Sequence, residues 1–142
     1  MSIKLIGAAM ALSLFAAGAA HAATLSFAAK LDGASETPPT ASKGTGDMVG
    51  KLDTATKTFT YTVTFANLTG PATMAHFHGP AAVGVKAGVA LPLGMAPTSP
   101  INGDKVLTDA QIADLEAGKW YVNVHTAANP GGEIRGQVMQ KK

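Results

Sequence analysis

The stretch Thr58-Phe-Thr-Tyr-Thr-Val-Thr-Phe65 alternates without a fault, with Phe59, Tyr61, Val63 and Phe65 on one side and four threonines on the other. Strict period-two alternation with one polar side specifies a strand of an antiparallel sheet that packs on a core through one face only. Further candidate strands are Leu25–Lys30, Thr45–Leu52, Thr73–His78, Val89–Leu91, Lys119–Thr126 and Glu133–Gln140, separated by clusters of Gly, Pro, Asn and Asp. Many short strands with frequent turn signals predict an all-β sandwich or barrel rather than a parallel α/β fold. One segment departs from this pattern. Thr108 and Gln111 have capping-box spacing, Leu107 and Ile112 that of a hydrophobic staple, and Gly118 is a C′ stop. A short helix is expected near residues 109–117, with Ile112 and Leu115 inward.

Residues 1–22 read as a cleaved export leader: Lys4, an apolar run, then small residues ending in Ala20-His-Ala22. The run is too short for a membrane anchor, so no membrane span is expected in the mature form, residues 23–142, read as one domain. Localisation is then periplasmic or secreted. The chain has 11 Lys+Arg against 9 Asp+Glu. Lys4 lies in the leader, so the mature chain is nearly neutral, and no basic patch points to nucleic acid. With no cysteine, an exported domain of this size cannot use disulfides and relies on packing or on a bound ion.

Parity along each strand places the histidines. In Thr73–His78, Ala75 and Phe77 share one face, while Met74, His76 and His78 share the other. In Trp120–His125, the apolar face is Trp120, Val122 and Val124, and Tyr121, Asn123 and His125 lie opposite. In the following strand Ile134, Gly136 and Val138 face in, and Glu133, Arg135 and Gln137 are expected to face outward. Lys119–Thr126 and Glu133–Gln140 read as a hairpin that brings Glu133 near His125. All three histidines beyond the leader thus avoid the core. Imidazoles at i and i+2 on a strand can share one ion, and a third from another strand would complete a His₃ set. That chemistry suits copper, with zinc the alternative, and a thioether from Met74 would favour copper. Glu36 and Glu133 are candidates for a further ligand or for orienting a ring. Against this stands the simpler reading of a solvated polar face, on which Glu36-Thr-Pro-Pro39 only makes a turn and Arg135 pairs with Glu133.

Four fragments, GASETPP, LTGPATMAHFHGPA, LTDAQIADLEAGKW and YVNVHTAANPGGEIRGQV, together resemble the CHRD domain, the family named for chordin. The resemblance runs from about Leu25 to Val138. It implies an immunoglobulin-like or dismutase-like antiparallel β-sandwich of Greek-key type. In chordin, such domains belong to an extracellular antagonist of bone morphogenetic proteins. The family's signature positions fall on Glu36, Pro38, Pro39, His76, His78, Gly79, Pro80, His125, Gly132, Glu133, Arg135 and Gly136. Many members have a small residue where this chain has Met74. The leading expectation is an exported, non-catalytic module, with no catalytic residues, that binds a transition metal through His76, His78 and His125. An extracytoplasmic protein-interaction or structural module without metal is the alternative. A copper-dependent dismutase is the third reading, disfavoured because a bimetallic site needs more histidines than three.

Overall fold

The alternating strands find partners on both sides in a computed structural model that describes residues 22–142. The leader read at residues 1–22 lies, but for Ala22, outside the described residues. The order along the chain is β1 (Thr24–Asp32), β2 (Thr45–Asp53), β3 (Thr58–Ala66), β4 (Ala72–His78), β5 (Val89–Met95), β6 (Ile101–Val106), α1 (Asp109–Glu116), β7 (Tyr121–Thr126), β8 (Ile134–Gln137) and β9 (Met139–Gln140). Hydrogen bonding runs β5-β4-β7-β8-β1-β2-β3-β6, with β9 added to β1, and every pairing is antiparallel.

The β8–β1 link is a single residue pair, Asp32 with Arg135. The path therefore divides into two four-stranded halves, β5-β4-β7-β8 and β1-β2-β3-β6, whose apolar faces meet. Phe59 of β3 packs edge-on against Phe27 of β1, and also against Phe77 of β4 and Trp120 beside β7, with ring centroids 5.8–6.4 Å apart. Phe59, Phe77, Val63, Val122, Val124 and Ile134 are wholly buried. The alternation in β3 behaves as its sequence predicts: Phe59 and Val63 reach the centre, and Tyr61 and Phe65 pack at its margin.

α1 begins with Thr108 accepting from the Gln111 amide and the Gln111 side chain accepting from the Thr108 amide, a complete capping box. Leu115 is buried, Ile112 packs at the core margin, and Gly118 follows the helix at φ +69°. The strand β6 has no clear sequence signature. Asn102, Gly103 and Asp104 interrupt any apolar alternation, and it forms because β3 offers a free edge, Val63 pairing with Ile101 through Thr58 with Val106.

Candidate metal centre

β4 and β7 are neighbours, with His78 opposite Tyr121, His76 opposite Asn123 and Met74 opposite His125. The hairpin continues these rows onto β8, with Tyr121 opposite Gln137 and Asn123 opposite Arg135. Parity and adjacency together put the three histidines on one patch. One ligand-capable nitrogen from each of His76, His78 and His125 lies within 4.8 Å of the others. His76 Nδ1 stands 3.1 Å from His125 Nε2. Ring nitrogens sharing a tetrahedral ion at bonds near 2 Å are about 3.3 Å apart, so one pair is at ligand spacing. The widest pair would close by about 1.5 Å on binding.

This polar face is largely covered, although His76 and Met74 stay half-buried. His78 is 9% exposed and His125 6%, and every residue of β7 is buried on both faces. The cover comes from three loops: residues 33–44, residues 79–88 and residues 127–133. The first holds Glu36, Pro38 and Pro39, and the second holds Gly79 and Pro80. The Thr37–Pro38 and Gly79–Pro80 bonds are cis. The outward placement expected for Glu133 and Arg135 is therefore corrected, since they are 0% and 2% exposed. Alternation separates the two faces of a strand but cannot say whether loops close over the second one.

Those loops also set the rings. His78 Nδ1 donates to the Ala87 carbonyl at 3.0 Å, and His125 Nδ1 donates to the Pro130 carbonyl at 2.9 Å. A carbonyl only accepts, so each bond fixes the Nδ1–H tautomer and leaves Nε2 of the neutral ring with a free lone pair. The His78 ring lies flat on Tyr121, centroids 4.8 Å apart and planes 7° apart. On Tyr121 rests the Arg135 guanidinium, its Cζ 3.4 Å from the ring centroid. Arg135 donates to the Val85 carbonyl at 2.8 Å and to Thr37 Oγ1 at 3.4 Å. The expected Arg135–Glu133 pair is thus replaced by a cation–π–π column that clamps His78 and ties two covering loops to β8.

Burial holds the pKa of His76 below its ordinary 6.5, helped by the nearby His125 and His78 rings. For His78, burial outweighs the hydrogen bonds to Ala87 and Asn123 that favour its cation, and the pKa is again lowered. Both rings are therefore neutral at pH 7, as ligation requires.

Glu133 serves a different place. Its Oε1 accepts from Ser42 Oγ at 2.6 Å and the Thr69 amide at 2.8 Å. Its Oε2 accepts from Thr69 Oγ1 at 2.7 Å, Thr126 Oγ1 at 2.5 Å and Asn129 Nδ2 at 3.3 Å. Burial raises the carboxyl pKa, but the bonds from Ser42, Thr126 and Thr69 overcome it and hold the value at about 2. With its acceptor sites taken up, Glu133 is a loop clamp and not one of the converging groups. Glu36 stands one residue behind the histidines: its Oε1 accepts from Asn123 Nδ2 at 3.3 Å. Met74 is half-buried beside His125 in register.

Asn123 is the residue that sequence reasoning passed over. Its Oδ1 lies 3.0 Å from His78 Nε2 and 2.9 Å from His125 Nε2. Its parity with His125 was legible, but an asparagine on a strand carries no metal signal by itself. Gly132, at φ +125°, lies against this group, and a Cβ there would collide with Glu36 Oε1 and Asn123 Nδ2. In β8, Gly136 lets the Lys30 carbonyl pass where a Cβ would sit.

No curated protein and no solved structure matches the chain. A family model does, for the CHRD domain, over residues 27–138. That span runs from β1 through the three covering loops and all three histidines to just past the end of β8, and on this ground the chain belongs to the CHRD domain family.

Proposed function

We propose that this protein is an exported, non-catalytic binding module that holds one transition-metal ion on His76, His78 and His125. Copper is the ion we favour, with zinc the alternative. One observation carries the reading: three imidazoles, two with their tautomers fixed by the Ala87 and Pro130 carbonyls, converge within 4.8 Å under a cover of loops. Imidazole nitrogen suits both ions. Periplasmic or secreted localisation is supported by the leader pattern of residues 1–22. A dismutase-like or immunoglobulin-like Greek key is supported by three connections, β3 to β4, β5 to β6 and β6 to β7, that pass between the two halves.

Titration with Cu²⁺ or Zn²⁺ should show about one equivalent retained per chain, lost in His76→Ala and in His125→Ala. Unchanged thermal stability and no retained metal after titration would overturn the reading. A second reading, a module that docks an extracytoplasmic protein partner, is favoured by Val89 and Met95, exposed apolar side chains on the edge strand β5. Capture of a partner that survives the histidine substitutions would support it.

A further inference from the structure

The tautomers and the Asn123 amide create an imbalance of donors. His78 and His125 each spend their one proton on a carbonyl, so Nε2 of both is an acceptor. The group they both face at 2.9–3.0 Å is Asn123 Oδ1, also an acceptor. The amide cannot turn to relieve this by donating. Its Nδ2 is engaged by Glu36 Oε1, and a carboxylate only accepts, so a turned amide would set oxygen against carboxylate. Glu36 is itself 5% exposed and further held by the Thr37 amide at 3.2 Å. Gly132 leaves the Glu36–Asn123 pair just enough room. His76 Nδ1, 3.1 Å from His125 Nε2, can donate to that one nitrogen. His78 Nε2 and Asn123 Oδ1 remain two facing acceptors 3.0 Å apart, and a single cation is the group that satisfies both rings and the amide together.

The spacing agrees. Ligands stand about 3.3 Å apart in a tetrahedral set, and two ligands on bonds of about 2.1 Å at right angles, as in a square-planar Cu²⁺ set, are about 3.0 Å apart. The two Asn123 Oδ1 to Nε2 distances, and the His76 Nδ1 to His125 Nε2 distance of 3.1 Å, all have this adjacent-ligand length.

We infer that Asn123 Oδ1 is the fourth ligand of the histidine site, held toward the ion by Glu36, and that the resulting three-nitrogen, one-oxygen set selects a divalent ion, Cu²⁺ or Zn²⁺, over Cu⁺. This rests on the histidine site proposed above. The selectivity follows from ligand hardness: an amide oxygen adds to the binding of a divalent ion and contributes little to soft Cu⁺, which prefers sulfur.

The test measures Zn²⁺, Cu²⁺ and Cu⁺ affinities by competition with chelators of known affinity for the wild-type protein and four variants: His125→Ala, Asn123→Ala, Glu36→Gln and the double variant Glu36→Gln/Asn123→Asp. Circular dichroism establishes that each is folded. Asn123→Ala should weaken Zn²⁺ and Cu²⁺ by about 10- to 100-fold and Cu⁺ by less than about 3-fold, and Glu36→Gln should weaken the divalent ions by about 10-fold. The double variant moves the amide donor to position 36 and keeps an oxygen toward the rings, so it should regain most of the loss even if Asn123→Ala folds poorly. The Cu²⁺ electron paramagnetic resonance spectrum should change its parallel hyperfine splitting in Asn123→Ala. Equal divalent affinity and an unchanged spectrum in folded Asn123→Ala, with metal still lost in His125→Ala, overturn the fourth ligand and leave the histidine site standing. A wild-type protein that binds none of the three ions overturns both.

Discussion

Replacing Glu133 by Gln should cost about 3 kcal/mol at pH 7, and the cost should vanish in acid. The carboxyl pKa falls from 4.5 in a free chain to about 2 in the folded protein. Each pKa unit corresponds to about 1.4 kcal/mol, so the ionised form contributes about 3 kcal/mol of stability through its preferential binding in the fold. The hydrogen bonds lead to a similar size. Glutamine can keep an oxygen toward Ser42 Oγ and the Thr69 amide, and the hydroxyls of Thr69 and Thr126 can turn to accept from its NH₂. Asn129 Nδ2 would face a second donor unless its amide turns to present Oδ1. Charge-assisted bonds become neutral ones, a loss of about 1 kcal/mol or more each.

The sign follows from linkage. The folded state has the lower pKa, so the unfolded chain takes up the proton first as pH falls. The contribution is complete above about pH 4.5 and disappears as pH drops through about 2. Urea unfolding of wild type and Glu133→Gln at pH 7, 4, 3 and 2.5 isolates this contribution, because other carboxylates titrate alike in both proteins. The expected difference is about 3 kcal/mol at pH 7, or roughly 10 °C in Tm for a domain of this size, shrinking steadily below pH 4.5. A difference equally large at pH 7 and pH 2.5 would show that the variant acts through shape alone and would refute the electrostatic account of the clamp.

Gly132→Ala should lose about 1–3 kcal/mol from the positive φ, and should weaken metal binding as well because its Cβ displaces Glu36 from Asn123. A parallel thermal melt and Zn²⁺ titration check both effects. Arg135→Lys should destabilise by about 1–3 kcal/mol although the charge is kept, since an ammonium cannot lie flat on Tyr121 and reach Val85 and Thr37 together; chemical denaturation measures it. Because burial lowers the pKa of His76 and His78, the unfolded chain binds protons before the folded one does, and metal-free protein should lose Tm as pH falls from about 6.5. His76→Ala should flatten that slope.

The sequence carried the strands and the parity of the site, and both for a local reason. Side chains alternate along a strand whatever surrounds it, so Met74, His76 and His78 could be assigned to one face, and Asn123 and His125 to another, before any contact was known. That these faces are one face depends on β4 lying beside β7, which is a property of the chain path. β6 is not legible in the sequence because its residues Asn102, Gly103 and Asp104 lack strand character and the free edge of β3 supplies the order. In the sequence Arg135 and Glu133 look like surface groups, because charged residues on a non-core parity are usually solvated. Here each has a full set of partners drawn from loops far away in sequence, Ser42 and Thr69 for one and Thr37 and Val85 for the other.

Those loop partners define what the site needs. The strands supply the three imidazoles and Asn123, but the atoms that fix the two tautomers are main-chain carbonyls of Ala87 and Pro130, in loops without regular structure. A backbone carbonyl is indifferent to the side chain it carries, so Ala87→Ser should leave metal affinity within about 2-fold if the loop keeps its path. What must persist is the path itself. It is held by Tyr121 Oη at the Ala87 amide, by Arg135 at Val85, and by Glu133 at Asn129. Tyr121→Phe, which removes only the hydroxyl, therefore separates position from identity: it keeps the stack on His78 but frees the Ala87 peptide. Metal affinity should fall by about 10-fold, the size expected when a group orienting a ligand is lost. An unchanged affinity would mean that the stack alone orients His78 and that the carbonyl follows the ring.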